Sequence, residues 1–166
     1  MKNIRVFFFG ASAVSAATID FAKLLGFECI VMDNEVEKLE APAFDGCERR
    51  LVDFENLGDQ GIAEDDMLCV ITRGHSFDRQ AYAYALQMPA FYIGMMGSAK
   101  KNAKCFAYAL EHGCTQEQVD ASFAPIGIDL EANDAVEIGL TIAAQLMQKR
   151  NERFPRELDH DSLHAE

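Results

Sequence analysis

Met67-Leu68-Cys69-Val70-Ile71-Thr72, stopping at Arg73-Gly74-His75-Ser76-Phe77-Asp78, and then Ala90-Phe91-Tyr92-Ile93, stopping at Gly94-Met95-Met96-Gly97-Ser98, form the stretch that decides the fold. Both apolar runs have strand length, and both end in a loop containing glycine. Between them, Phe77, Ala81, Tyr84 and Ala85 fall at helical spacing, so Phe77 to Gln87 predicts a crossover helix joining two parallel strands. Both glycine loops then lie at the carboxyl ends of neighbouring strands, the edge at which open α/β sheets bind ligands.

Working outward, the amino-terminal part repeats the pattern. Ile4 to Phe9 reads as a strand and is followed by Gly10-Ala11-Ser12-Ala13-Val14-Ser15. A helix with Val14, Ala17, Phe21, Leu24 and Leu25 on one face stops at Gly26. Phe27 to Met32 is the next strand, and Asp33 stands 23 residues beyond Gly10, where a ribose-binding carboxylate would sit in a dinucleotide fold. Ser12 and Ser15 occupy the second and third glycine positions of that fingerprint, where their side chains hinder close approach of a pyrophosphate. The loop retains the capacity to bind an anion through its helix amides.

Glu35 to Gly46 reads as a loop or short helix, Arg49 to Phe54 as an edge strand, and Gly58 to Asp66 as a polar turn region. Downstream, Ser98 to His112 predicts a helix with Ala103, Phe106, Ala107 and Leu110 inward, closed by Gly113. Thr115-Gln116-Glu117-Gln118 reads as a capping box opening a short helix. Phe123 to Asp129 supplies a last extended piece and a third glycine loop. Asp134 to Arg150 predicts a final helix with Val136, Leu140, Ala143 and Met147 on its covered face, beside Ile142 and Leu146. The expected architecture is α/β, a Rossmann-like three-layer sandwich with a mostly parallel sheet. Residues 1–150 form its single domain, and residues 151–166 form a polar, flexible tail.

At 166 residues, with 49% hydrophobic and 25% charged residues, the chain has the size and composition of one globular domain. It carries no run long enough to span a bilayer and no signal-peptide pattern, so a cytoplasmic location is expected. Fifteen Lys and Arg against 27 Asp and Glu give a formal charge of -12, which argues against nucleic acid and anionic membranes as partners. Five scattered cysteines form no C-x-x-C pair, which fits a reducing compartment; Cys29 and Cys69 are expected as buried small hydrophobes, and no metal site is expected.

Three loops bring unusual groups to one rim: Thr72, Arg73, Gly74, His75 and Asp78; Gly94, Gly97, Ser98 and Lys101; Pro125, Gly127 and Asp129. Glycines admit backbone amides to a ligand, and an Arg fork with a Lys point charge suits phosphate. Each residue also has a plainer role: Arg73 pairing with Asp78, His75 capping its helix, Asp129 turning the chain. No paired carboxylate or nucleophile elbow accompanies His75, so no catalytic residue is assigned.

At these residues the chain resembles a known family. Thr72-Arg73-Gly74-His75 with Asp78, Tyr92-Ile93-Gly94-Met95-Met96-Gly97-Ser98 with Lys101, Ala124-Pro125-Ile126-Gly127-Ile128-Asp129, and Glu137-Ile138 with Ile142-Ala143-Ala144 look like the motif series of the xanthine dehydrogenase accessory proteins, the XdhC/CoxI family. The resemblance covers that family's carboxyl-terminal Rossmann-like domain as a stand-alone chain, without its amino-terminal domain. It implies a non-catalytic maturation factor that binds the molybdenum cofactor (molybdopterin) and assists its sulfuration and insertion into a molybdenum hydroxylase. The metal would be held by the cofactor's own dithiolene. The implied partners are the apo molybdenum hydroxylase, a separate accessory polypeptide or cysteine desulfurase, and a second copy in a homodimer. The cofactor-binding set would be Gly10, Ser12 and Asp33 together with the three rim loops. Departures are Gly10-Ala11-Ser12-Ala13 in place of G-x-G-H, Ala99 for an arginine, Ala135 for a proline and Gln145 for an acid. The alternative is an NAD(P)-binding oxidoreductase using Gly10 and Asp33, or a nucleotide-sensing Rossmann domain.

Overall fold

The computed structural model describes residues 2–72 and 75–165. Five strands, β1 (Arg5–Phe9), β2 (Glu28–Asp33), β3 (Glu48–Leu51), β4 (Met67–Val70) and β5 (Tyr92–Met95), form one sheet in the order β3-β2-β1-β4-β5. Every neighbouring pair is parallel, so the sheet is wholly rather than mostly parallel. Such a sheet needs cover on both faces, and the sequence provides for it. Phe7, Phe8 and Phe9 are all fully buried although consecutive side chains point to opposite faces. Each contributes about 1.5–3 kcal/mol by leaving water.

One face carries Val6, Phe8, Val31 and Cys69 and is covered by α1 (Ala13–Leu24) and α6 (Ala135–Arg153). The other carries Phe7, Phe9, Met32 and Val70 and is covered by α3 (Asp78–Leu86), α4 (Ala99–Glu111) and α5 (Gln116–Ala121). The result is the expected three-layer Rossmann-like sandwich. A one-turn helix α2 (Val36–Leu39) and a 3-10 turn at Pro42–Phe44 lead into β3, and α5 opens with both bonds of the expected capping box.

Helix existence follows the sequence reading; the expected inward faces of α1 and α4 do not, and that of α6 holds only in part, at Ile142, Ala143 and Leu146. On α1 the buried residues are Ser15, Thr18, Ile19 and Ala22, and Leu24 is 86% exposed. On α4 they are Asn102, Cys105 and Ala109, with Leu110 exposed; on α6, Val136 and Leu140 face out while Gly139, Ile142 and Leu146 face in. The reason is helix-on-helix contact: a Cβ at Gly139 would lie 2.8 Å from both the Ala17 Cβ and the Thr18 amide nitrogen, so α6 can lie this close to α1 only on its glycine face.

The two sheet edges differ. Beyond β5, Phe123 forms a parallel bridge to Gly94, and the Ile126 amide donates to the Met95 carbonyl at 2.9 Å, so the last extended piece covers that edge. Among the described residues β3 has no outer neighbour in the sheet, and it carries Glu48, Arg49 and Arg50. At the carboxyl terminus α6 runs on to Arg153, and a one-turn helix, α7 (His160–Leu163), stands in the stretch expected to lack structure.

Candidate functional site

The strand order places β1 at the centre: the chain winds from it through β2 to β3 on one side, then crosses back to β4 and β5 on the other. A switch point therefore lies between the carboxyl ends of β1 and β4. Gly10 sits there with φ +117°, and a Cβ on it would fall 2.3 Å from the Ile71 carbonyl oxygen. Its lack of a side chain lets the first loop close on the end of β4; the role is packing between loops.

The altered first loop is held by its own side chains. Ser12 caps α1, accepting from the Ser15 amide at 3.1 Å, while the Ser15 hydroxyl donates to the Gly10 carbonyl at 2.7 Å. Asp33 accepts from the amides of Ala11 at 2.8 Å and Glu35 at 3.0 Å and is 3% exposed. The carboxylate expected at a ribose thus braces the first loop against β2.

Asp78 is the hub of the next two loops. Its side chain is 1% exposed, and one oxygen accepts from the Thr72 amide at 3.0 Å and from the Thr72 hydroxyl. The other oxygen pairs with the Lys101 ammonium and with Nδ1 of His75 at 2.8 Å. Lys101 Nζ also lies 2.8 Å from that ring nitrogen and donates to the Met96 carbonyl at 2.6 Å. Nδ1 therefore either donates to the carboxylate or accepts from the ammonium, one at a time. This hub fastens the end of β4 and the starts of α3 and α4 to one another. The partner expected for Asp78 was Arg73; Arg73 and Gly74 lie outside the described residues, and among the described residues the lysine that pairs with Asp78 is Lys101.

Gly97 has φ +154°, and a Cβ there would meet the Lys101 Nζ and the Asn102 Oδ1 at 2.6 Å. Ser98 caps α4, accepting from the Lys101 amide at 3.3 Å. Gly94 is pressed against Ile126, where a Cβ would lie 2.6 Å from its side chain. The third loop is gripped by Gln145 on α6. Its Oε1 accepts from the Gly127 amide at 2.9 Å and the Tyr92 hydroxyl at 2.6 Å, and its Nε2 donates to the Gly127 carbonyl at 3.2 Å. A carboxylate here could accept but not donate, so the amide suits both partners. Pro125 and Asp129 are exposed, and Asp129 accepts from the Glu131 amide at 3.4 Å.

The expected residues thus divide into two layers on one sheet edge. Gly10, Asp33, Thr72, Asp78 and Gly94 are buried and hold the loops; Ser12, His75, Gly97, Ser98, Lys101, Pro125, Gly127 and Asp129 reach its surface. Beside that edge, a cavity of about 480 Å³ opens between α3 and α4, lined by His75, Arg79, Lys101, Lys104 and Tyr108 among others. Arg79, Lys104, Tyr108 and Gln145 went unnoticed as site residues in the sequence. The signal was present for two of them, since Lys101, Lys104 and Tyr108 share one face of α4 by their i, i+3, i+7 spacing. A larger hollow, about 660 Å³, is lined wholly by residues 151–163 and holds none of the rim residues. Among the described residues, no helix is long and apolar enough to cross a membrane.

Comparison with known proteins agrees with this fold. YqeB of Escherichia coli (strain K12), an uncharacterized protein, is 26% identical over 151 residues, covering 89% of this chain and 27% of its own length. The crystal structure of a xanthine dehydrogenase from Bacillus halodurans superposes with a TM-score of 0.77 at 25% identity, over 91% of this chain and 45% of that one. The chain therefore spans less than half the length of either relative. The XdhC Rossmann domain matches residues 6–146, from β1 through most of α6, and the chain belongs to that xanthine dehydrogenase-related family.

Proposed function

We propose that this domain binds the molybdenum cofactor at the rim of its three loops and assists its sulfuration and insertion into a molybdenum hydroxylase such as xanthine dehydrogenase. The observation that carries this reading is the Asp78–Lys101–His75 hub, which ties two glycine-edged loops together at the carboxyl ends of the strands, the edge where open α/β sheets bind ligands, in a chain of this family. The donor set suits the cofactor's organic part: the Gly97 and Gly127 loops reach the surface of the rim, and cations stand beside them for its phosphate. When bound, the cofactor would supply the metal and its dithiolene sulfurs; the chain's own residues would orient and shield it. Arg73 and Gly74 enter this reading on the resemblance alone.

In the same reading the partners are the apo hydroxylase, a separate accessory polypeptide or cysteine desulfurase, and a second copy of the chain. The alternative ligand, NAD(P), fits less well because Ser12 and Ser15 fill the loop and Asp33 is engaged by two amides. The discriminating experiment mixes the purified protein with molybdopterin and, separately, with NADH, following pterin and nicotinamide fluorescence. Saturable pterin retention that falls about tenfold in His75→Ala, the loss of one hydrogen-bonding group, is the expected outcome. Tight NADH binding without pterin retention would overturn the reading.

A further inference from the structure

The hub leaves a problem of charge. Lys101, the point charge expected to meet an anion, is already paired with the buried Asp78 carboxylate. Among the described residues, two more cations lie one step further out, in the cavity between α3 and α4. Arg79 in the first turn of α3 and Lys104 in the second turn of α4 both line it, and both are exposed. Among the described residues neither has an acidic partner; the Arg79 guanidinium lies 5.1 Å from the Tyr108 ring centroid. Like charges gathered without a counter-ion repel, and the cost is greater at a helix start. α4 begins with Lys100 and Lys101 and has no acid in its first turn, so its positive end is compounded instead of compensated. Of the lining groups, Arg79, Lys101 and Lys104 count +3 and Glu111 counts -1, leaving +2 on a protein whose formal charge is -12. Even after Asp78 is set against Lys101, the cavity stays positive.

We infer that the groove between α3 and α4 is a binding site for the phosphate ester or pyrophosphate group of a small organic ligand, held by Arg79 and Lys104. Arg79 supplies a planar fork that grips two phosphate oxygens, and Lys104 supplies a second charge from the facing helix. The cavity, about 480 Å³, has room for a phosphate with part of the molecule it is attached to. His75 and Lys101 belong to both the groove and the rim hub, so a ligand whose phosphate lies in the groove extends naturally toward the three loops. This assignment rests on the cofactor reading only for which phosphate ester is carried.

The test titrates the full chain with inorganic pyrophosphate by isothermal calorimetry at low ionic strength, comparing it with Arg79→Ala, Lys104→Ala and the double variant. Lys149→Ala, a lysine of α6 outside the groove, serves as the control. Saturable binding of one pyrophosphate is expected, weakened about tenfold by each single substitution and little changed by the control, as suits the loss of one charge-assisted hydrogen bond. Thermal melts check that the variants stay folded. No saturable binding, or binding that the double variant retains in full, would overturn the groove. Because pyrophosphate carries no pterin, its failure to bind leaves the cofactor reading standing; lost pterin retention with intact pyrophosphate binding overturns that reading and leaves the groove.

Discussion

At the scale of single residues, the site depends on one buried carboxylate with several donors around it. Asp78 is almost fully enclosed, and Lys101 is its principal counter-charge. Removing one member of a buried pair leaves an uncompensated charge, so Lys101→Met is expected to lower stability by about 3 kcal/mol, at the modest end because Thr72 and His75 remain as donors. Chemical denaturation measures this; an unchanged midpoint would show that Lys101 is free to serve a ligand instead. The pairing was hidden in the sequence because Asp78 and Lys101 stand 23 positions apart and meet only once β4 and β5 lie side by side. The grip of Gln145 on Gly127 was equally hidden, and for the same reason.

At the scale of elements, the strands were legible and the helix faces only in part. β4 and β5 announce themselves as apolar runs, although β5 continues through Gly94, where the sequence reading ended it, to Met95. For α1, α4 and the first half of α6, reading the large apolar residues inward misled, because small or polar side chains such as Ser15, Thr18, Ala22, Asn102, Cys105 and Gly139 occupy much of the inner faces. The Thr18 hydroxyl, for example, donates to the Val14 carbonyl at 2.7 Å, which lets it turn inward without loss. Gly139 marks the crossing of α1 and α6. In an open helix, Gly→Ala gains about 1 kcal/mol, but here the added methyl runs into backbone. Gly139→Ala is accordingly expected to destabilise by about 1 kcal/mol or more, as over-packing does. Thermal unfolding reads the sign directly, and a gain would mean the helices can separate at little cost.

At the scale of the whole molecule, burial sets the response to alkali. It pushes the Cys29 thiol up to about 12, raises Cys69 further, and raises the Tyr92 hydroxyl well above its ordinary value near 10. Each is an acid kept protonated by the fold. With folded values above unfolded ones, the native chain binds more protons than the unfolded chain, so the stabilisation is complete below about pH 9 and declines as pH rises beyond it. The expected record is a denaturation midpoint that holds steady up to that point and then falls. In the same protein, a thiol-alkylating reagent at neutral pH should reach half-buried Cys47 while sparing Cys29 and Cys69. A midpoint indifferent to alkali would mean that these groups see more water than the sheet allows.

The two borders of the sheet carry a further consequence. One is closed by the chain's own Phe123 segment, so lateral growth could proceed only from β3, where the arginines and Glu48 keep a row of unmatched peptide groups from accepting a foreign strand. Among the described residues, polymerisation is therefore resisted at one four-residue frontier, and replacing Arg49 and Arg50 with uncharged residues is expected to favour strand-to-strand association there.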